Sequence, residues 1–244
     1  MYQNIFLDIK KMKMHIWDDT KGHLEVPFRK YAYVKDGNGQ HVSLYGDRLK
    51  KVTNYDKDDP TLHESDVPPT TRFLVDNYGD SDEMSVGHRI MFFDIEVEVT
   101  DGFPDVQKAQ NVITSIALYD CLTDKYFTYC FDPEKRIESY TKDDEVVEFY
   151  DTEYEMLNKF FQKYLEIRPT IVSGWNSEFF DIPYLYNRAV RVLGPEVANL
   201  LSPISQVLYS EYKKKHTIAG VSSLDYLQLY RQFTFGQKSS YRLD

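Results

Sequence analysis

The segment IMFFDIEVEV, residues Ile90–Val99, alternates with a period of two. Met91, Phe93, Ile95, Val97 and Val99 fall on one face of an extended strand. Phe92, Asp94, Glu96 and Glu98 fall on the other. The apolar file predicts a face turned to a core. The acidic file needs a reason, because same-face neighbours on a strand stand about 6–7 Å apart. Two carboxylates at that distance repel by about 2–3 kcal/mol at an effective dielectric of about 20. Water relieves the repulsion on a solvated face, and the strand by itself fits that reading best. The alternative is a cation over Asp94 and Glu96, for which a divalent metal suits hard carboxylate oxygens.

A second acid bears on the choice. In SGWNSEFFDIPYLYNR, Asp181 stands just before Ile182 and Pro183. Pro183 fits a first helical turn, and Ile182, Leu185, Tyr186, Ala189 and Leu193 share one side, so a helix is expected from about Ile182 to Leu193. As its N-cap, Asp181 needs no chemistry, and Glu178 is then loop surface. Yet Asp181 also follows a short strand at 170–173 and a turn at Gly174, which places it at the end of a sheet. If Asp94 and Glu96 lie near that end, three carboxylates converge on a site for Mg²⁺ or Mn²⁺. Two such ions can activate a water and stabilise the leaving oxygen of a phosphodiester. Spacing alone leaves both readings open.

The bulk properties bound the rest. The chain has 244 residues, 42% of them hydrophobic, enough for one large domain or two smaller ones. Its 39 acids against 29 bases give a net charge of −10, which argues against a freestanding module gripping duplex DNA through phosphates. An acidic metal-dependent nuclease stays open. Lys10, Lys11 and Lys13, Lys50 and Lys51, and Lys213, Lys214 and Lys215 are local clusters that could guide a strand, though each taken singly reads better as solvated surface. The two cysteines, Cys121 and Cys130, lack zinc-like spacing and flank an expected hairpin that could bring them together. The start MYQNIFLDIKKMKM lacks a long apolar stretch, and no segment is long enough for a membrane helix. A soluble protein of the cytoplasm, with reduced cysteines and no membrane partner, is expected.

Two regions are expected. Residues 1–88 read as a β-rich N-terminal domain, with strands at NIFLDI, MHIWDD and HLEVPF and a hairpin in KYAYVKDGNGQHVSLYG turning at Asp36–Gly39. Asn54–Thr71 reads as an acidic loop, followed by a short element at RFLVDNYG. Residues 89–244 alternate strands and helices. Strands are expected at NVITSIALYD and KYFTYCF, and a loop at DDEVVEFYD. A helix follows from the capping box Thr152-x-x-Glu155, with Leu157, Phe160, Phe161, Tyr164 and Leu165 as its stripe. Further strands are expected at 206–212 and 216–219, and a last helix from Ser222 or Ser223 through LDYLQLYRQF. The fold class is α/β (α+β), a mixed sheet with flanking helices.

The order of these motifs resembles the family B DNA polymerases of the bacteriophage type, in their N-terminal domain and 3′–5′ exonuclease domain. DIE on a strand is similar to that family's first exonuclease motif, and Asn176-x-x-x-Phe180-Asp181 to its second. DGFPD, GVSSLDYLQLYRQF and the upstream RFLVDNYGDSDEMSVGHRIMFFDIEV match in order, so the resemblance spans most of the chain. It implies a ribonuclease H-like fold and a proofreading exonuclease acting on the single-stranded 3′ end of a DNA primer during replication. It implies that Asp94, Glu96 and Asp181 are catalytic, metal-binding acids for Mg²⁺ or Mn²⁺. It also implies that Phe103 and Asn176 contact the substrate. From the residues themselves, Phe103 reads equally as a turn aromatic, Asn176 as a turn residue after Trp175, and Asp225 as a first-turn helix acid.

The sequence departs from the family in one respect. The third motif, Tyr-x-x-x-Asp, is absent after Asp181, and Tyr241-Arg-Leu-Asp244 has the wrong spacing. The expectation is a chain that stops inside the exonuclease domain, cannot polymerise by itself and lacks one metal acid. A second polymerase chain could carry the missing part. A non-catalytic nucleic-acid-binding or assembly module is the alternative. A freestanding exonuclease would have to take its third acid from Glu98, Asp101 or Asp225. An incomplete sheet is expected to expose apolar surface.

Overall fold

A computed structural model describes residues 1–100, 102–236, 238 and 240–243. Asp101 and Asp244 lie outside the described residues. The chain packs as two units, Met1–Val86 and Gly87–Asp244.

In the first unit, β1 (Tyr2–Asp8), β2 (Lys13–Asp18) and β3 (Gly22–Pro27) form an antiparallel meander. Met14 and Ile16 of β2 are buried, as the alternation of MHIWD requires. A second sheet contains β4 (Ala32–Lys35), β5 (His41–Val42), β6 (Arg48–Val52) and β7 (Leu62–His63) in the order β5-β6-β4-β7. The expected hairpin between β4 and β5 does not form. Asp36–Gly39 does turn, with Gly39 N–H donating to the Asp36 carbonyl, but both flanking strands pair with β6. Tertiary pairing overrides the local turn signal. The expected loop at 54–71 holds β7 and the start of α1 (Pro69–Tyr78), the helix formed by RFLVDNY.

The second unit is a seven-stranded mixed sheet with helices. Its elements are β8 (Ile90–Val97), β9 (Ile113–Asp120), β10 (Lys125–Phe131), β11 (Tyr140–Lys142), β12 (Glu145–Tyr150), α2 (Glu153–Ile167), β13 (Ile171–Gly174), α3 (Asp181–Val192), α4 (Pro195–Ala198), β14 (Val207–Ser210), β15 (Lys215–Ile218), β16 (Ser222–Asp225) and α5 (Tyr226–Phe233). The order is β11-β12-β10-β9-β8-β13-β16, with β14 and β15 as a separate hairpin. β8, β9 and β10 are antiparallel neighbours. β8, β13 and β16 are parallel. This is the mixed α/β architecture expected of a ribonuclease H-like domain.

Met91, Phe93 and Ile95 of β8 enter the core as their alternation predicts. They join Met156, Leu157, Phe160, Phe161, Tyr164 and Ile167 of α2 and Ile182 and Leu185 of α3. The apolar face of β8 stops at Val97. The pairing with β9 shifts register between Glu96 and Val97, and Val99 is exposed. Thr152 caps α2 as expected: its Oγ1 accepts the Glu155 N–H at 3.2 Å and donates to Glu155 Oε2 at 3.0 Å, in place of the reciprocal bond of a full capping box. Leu165, assigned to the α2 stripe by spacing, is exposed, and Met156 and Ile167 take the core positions.

Two expected segments differ. DDEVVEFYD is not a loop, because Glu145–Tyr150 forms β12 parallel to β10. Ser222–Asp225 is not helical, because it forms β16 parallel to β13. Parallel partners lie far apart in sequence and leave little local signal. The cysteines stay apart. Cys130 faces Ser115, whereas Cys121 follows the last residue of β9 at the other end of the hairpin, and both are free thiols.

His216 on β15 is buried between Tyr186 (4.8 Å between ring centroids) and Tyr209 (5.1 Å). Burial lowers its pKa to about 4 from an ordinary 6.5. The folded chain therefore keeps this imidazole neutral, and the unfolded chain protonates it first. Its contribution is fully present above about pH 6.5 and is lost as pH falls toward 4. The expected size is at most about 3 kcal/mol. Substituting His216→Phe should flatten the loss of stability across that window, as urea denaturation at a series of pH values would show.

Candidate functional site

β13 pairs with β8 only as far as Ser173↔Phe92. At its end, Gly174 packs against the β8 backbone: a Cβ there would come within 2.5 Å of the Phe93 carbonyl oxygen. A glycine is needed for that approach. Beyond it the backbone of β8 finds no strand on this side. The Ile95 N–H donates instead to Asp181 Oδ1 at 3.2 Å. The acid expected as a helix cap is therefore the first residue of α3, and it caps a strand edge. The helix N-cap position is Phe180, which makes no side-chain capping bond.

This contact joins the second acid to the first strand. Asp94 and Glu96 project from the β8 face opposite the core, either side of Ile95. Burial raises the Asp94 pKa, and the neighbouring Glu96 raises it further. Asp181 is almost fully buried, and its pKa is raised to about 7. Burial is the main cause and the charge of Asp94 the next; the Ile95 N–H opposes both. The site thus holds more negative charge than its surroundings neutralise. A divalent cation or protons would relieve it. The donor set, three carboxylates on two rigid elements, fits Mg²⁺ or Mn²⁺. The three do not close into a group whose ligand atoms all lie within 4.8 Å of one another.

Phe103 is 79% exposed. Its ring lies 5.2 Å from Phe180, the residue before Asp181, and Phe180 in turn packs on Tyr184. It is therefore an open aromatic whose ring packs on the residue that precedes Asp181. Asn176 adopts a left-handed backbone (φ 62°), which Asn tolerates in tight turns. Its carbonyl accepts the Phe179 and Phe180 N–H groups, so it shapes the loop between Gly174 and Asp181.

Sequence reasoning missed the role of Asp225. Buried at the end of β16, it accepts the N–H of Asn176 (3.0 Å), of Glu178 (3.3 Å) and of Leu227 (2.9 Å). It caps α5 and pins the loop that carries Asp181. The sequence reads Asp225 as a first-turn acid of a helix begun at Ser222 or Ser223, whereas it ends β16 and stands as the N-cap of α5; the loop contact comes from the parallel pairing of Gly174 with Asp225. Its charge also adds to the raised pKa of Asp181. Glu98 lies beyond β8, exposed, with its N–H on the Val112 carbonyl. Of the lysine clusters, Lys213–Lys215 closes the β14–β15 hairpin. Lys215 bridges Glu178 of the Asp181 loop at 2.8 Å.

Comparison with known proteins places these elements. Residues 79–244 match the family model described as DNA polymerase family B, exonuclease domain. The chain is 33% identical over 185 residues to a DNA-directed DNA polymerase of Escherichia phage RB69, covering 64% of this chain and 20% of that protein. It is 30% identical over 177 residues to the corresponding enzyme of Enterobacteria phage T4, covering 61% and 20%. It is 32% identical over 145 residues to DNA polymerase 1 of Saccharolobus solfataricus, covering 54% and 16%. The chain spans about a fifth of the length of the two phage relatives.

Proposed function

Since the chain belongs to the family B DNA polymerases and carries their exonuclease domain, we propose that it is the N-terminal and proofreading portion of a replicative polymerase. It removes nucleotides from the 3′ end of a DNA primer by metal-dependent hydrolysis, in the cytoplasm of the cell in which replication proceeds. The observation that carries this reading is the Asp181–Ile95 contact, which seats a buried, proton-hungry carboxylate beside Asp94 and Glu96 on β8.

In this reading Asp94, Glu96 and Asp181 would hold Mg²⁺ or Mn²⁺. When bound, the ions lower the pKa of a water and stabilise the leaving 3′ oxygen. The chain supplies the remaining parts. Phe103 offers an open ring for the terminal base, and such stacking is worth about 1–3 kcal/mol. Asn176, held by Asp225, fixes the loop that positions Asp181 and faces the incoming strand. The water gives up a proton as its oxygen bonds to phosphorus, the P–O3′ bond breaks and O3′ takes up a proton, and the terminal nucleotide leaves as its 5′-monophosphate.

These 244 residues hold no Tyr-x-x-x-Asp after Asp181. In this reading Asp94, Glu96 and Asp181 are the metal acids that these residues supply. The end of β16 and α5 present an apolar surface. Phe233 is exposed and Tyr226, Leu229 and Leu224 are partly so, and none of the α5 residues is buried.

The test is shortening of a 5′-labelled single-stranded DNA in Mn²⁺. Loss from the 3′ end, at least about 100-fold slower in Asp94→Ala, is the expected result. Equal rates in the two proteins would remove the acids from the reaction.

A further inference from the structure

The β2–β3 pair of the first unit carries a second cluster of metal-ligating groups, in different chemistry. His15 faces Glu25 across the pair, and His23 faces Trp17 one step along. The period of two places His15, Trp17, His23 and Glu25 on one face of this ribbon. His15 Nδ1 and His23 Nε2 stand 3.0 Å apart. The rings are within 7° of parallel with centroids 5.3 Å apart. Glu25 Oε1 lies 4.0 Å from the same His15 nitrogen. The other oxygen, Oε2, is held by Lys13 at 2.7 Å, which turns Oε1 toward the histidines. One ligand atom from each of the three residues falls within 4.8 Å of the others.

We propose that His15, His23 and Glu25 form a binding site for a borderline transition metal of the Zn²⁺ class. Two imidazoles and a carboxylate match the three-protein-ligand sets that leave zinc one open position. Nitrogen ligands at about 2.05 Å in a tetrahedron stand about 3.3 Å apart, close to the spacing already present. Glu25 closes the remaining gap by a side-chain rotation, because its chain is partly exposed. His15 is 3% exposed, and burial keeps it neutral, the form that ligates. Its Nε2 has no hydrogen-bond partner, so the polar contact of this buried ring runs through Nδ1. The Trp17 ring stacks on His23 at 4.8 Å and limits the ways that ring can turn. Binding moves the proton between the two rings to the outer nitrogen of the histidine that carries it. The site would clip β2 to β3, and its ligand softness separates it from the all-carboxylate cluster on β8.

The experiment uses the full chain with Asp94→Ala, so that the carboxylate cluster does not compete. Co²⁺ titration followed by visible absorption reports tetrahedral nitrogen and oxygen ligation, and Zn²⁺ should displace the band. The expected result is a Co²⁺ band displaced by Zn²⁺, and affinity at least about tenfold weaker in His23→Ala and in Glu25→Gln. Both positions are partly open to solvent, so these variants should keep the circular dichroism spectrum of the parent. A parent that gives no Co²⁺ band overturns the proposal. So does a band that persists unchanged in His23→Ala.

Discussion

Asp181→Asn should make the metal-free protein more stable at pH 8 while abolishing metal-dependent cleavage. The folded state holds the Asp181 carboxyl at a pKa of about 7, against an ordinary 3.8. The fold therefore prefers the protonated form. Between about pH 4 and pH 7 the native chain binds more protons than the unfolded chain, so stability falls as pH rises through that window. The penalty is complete above it. Taken whole, the shift corresponds to about 4 kcal/mol, part of it shared with Asp94. Asn removes the charge and keeps an oxygen for the Ile95 N–H. A gain of roughly 5–10 °C in melting temperature is expected at about pH 8, shrinking to nothing near pH 4. Divalent cation should stabilise the parent and leave the variant unmoved. Calorimetric melting with and without Mn²⁺ reads all of this. An Asn variant no more stable than the parent at high pH would mean that the buried carboxylate carries no electrostatic penalty.

Arg188→Met should have the opposite effect on stability. Arg188 Nε donates to Glu153 Oε1 at 2.8 Å, and both side chains are nearly buried. Arg188 also donates to the Ala109 and Gln110 carbonyls, and Glu153 accepts the Ile113 N–H at 2.9 Å. This network ties the start of α2, the start of β9 and α3 together. Removing the guanidinium leaves a buried carboxylate and two carbonyls without their partner, a loss of about 3–5 kcal/mol. Chemical denaturation should show it as a lower midpoint. Adding Glu153→Gln to Arg188→Met should recover part of the loss, because the amide oxygen still accepts from Ile113 without a charge. A double variant as unstable as the single would assign the loss to packing of the arginine stem.

The parts of the fold legible in sequence are those with a local period. β8 declared both its faces, and α2 declared its cap and most of its stripe. Acids on one face of a strand were readable as an anomaly before any site was known. The parts that were not legible depend on partners distant in the chain. β12 and β16 exist because β10 and β13 lie beside them in parallel. Likewise β4 passes over the nearby β5 to pair with β6. At the site, spacing supplied Asp94, Glu96 and Asp181 as candidates but gave Asp181 the wrong local duty. Its hydrogen bond crosses 86 positions in sequence to Ile95, and only the early end of β13 at Gly174 makes room for it. Asp225 was readable as an acid at the start of the last helix and not as the anchor of the Asp181 loop, for the same reason.

Asp94, Glu96 and Asp181 are expected to act as one cation-binding site. Titration of Mn²⁺ followed by electron paramagnetic resonance tests it most directly, since free and bound Mn²⁺ differ in signal and no substrate or third motif is needed. The parent chain should bind Mn²⁺, and that binding should be lost on combining Asp94→Ala with Asp181→Asn. Equal Mn²⁺ binding by the parent and the double variant would contradict it.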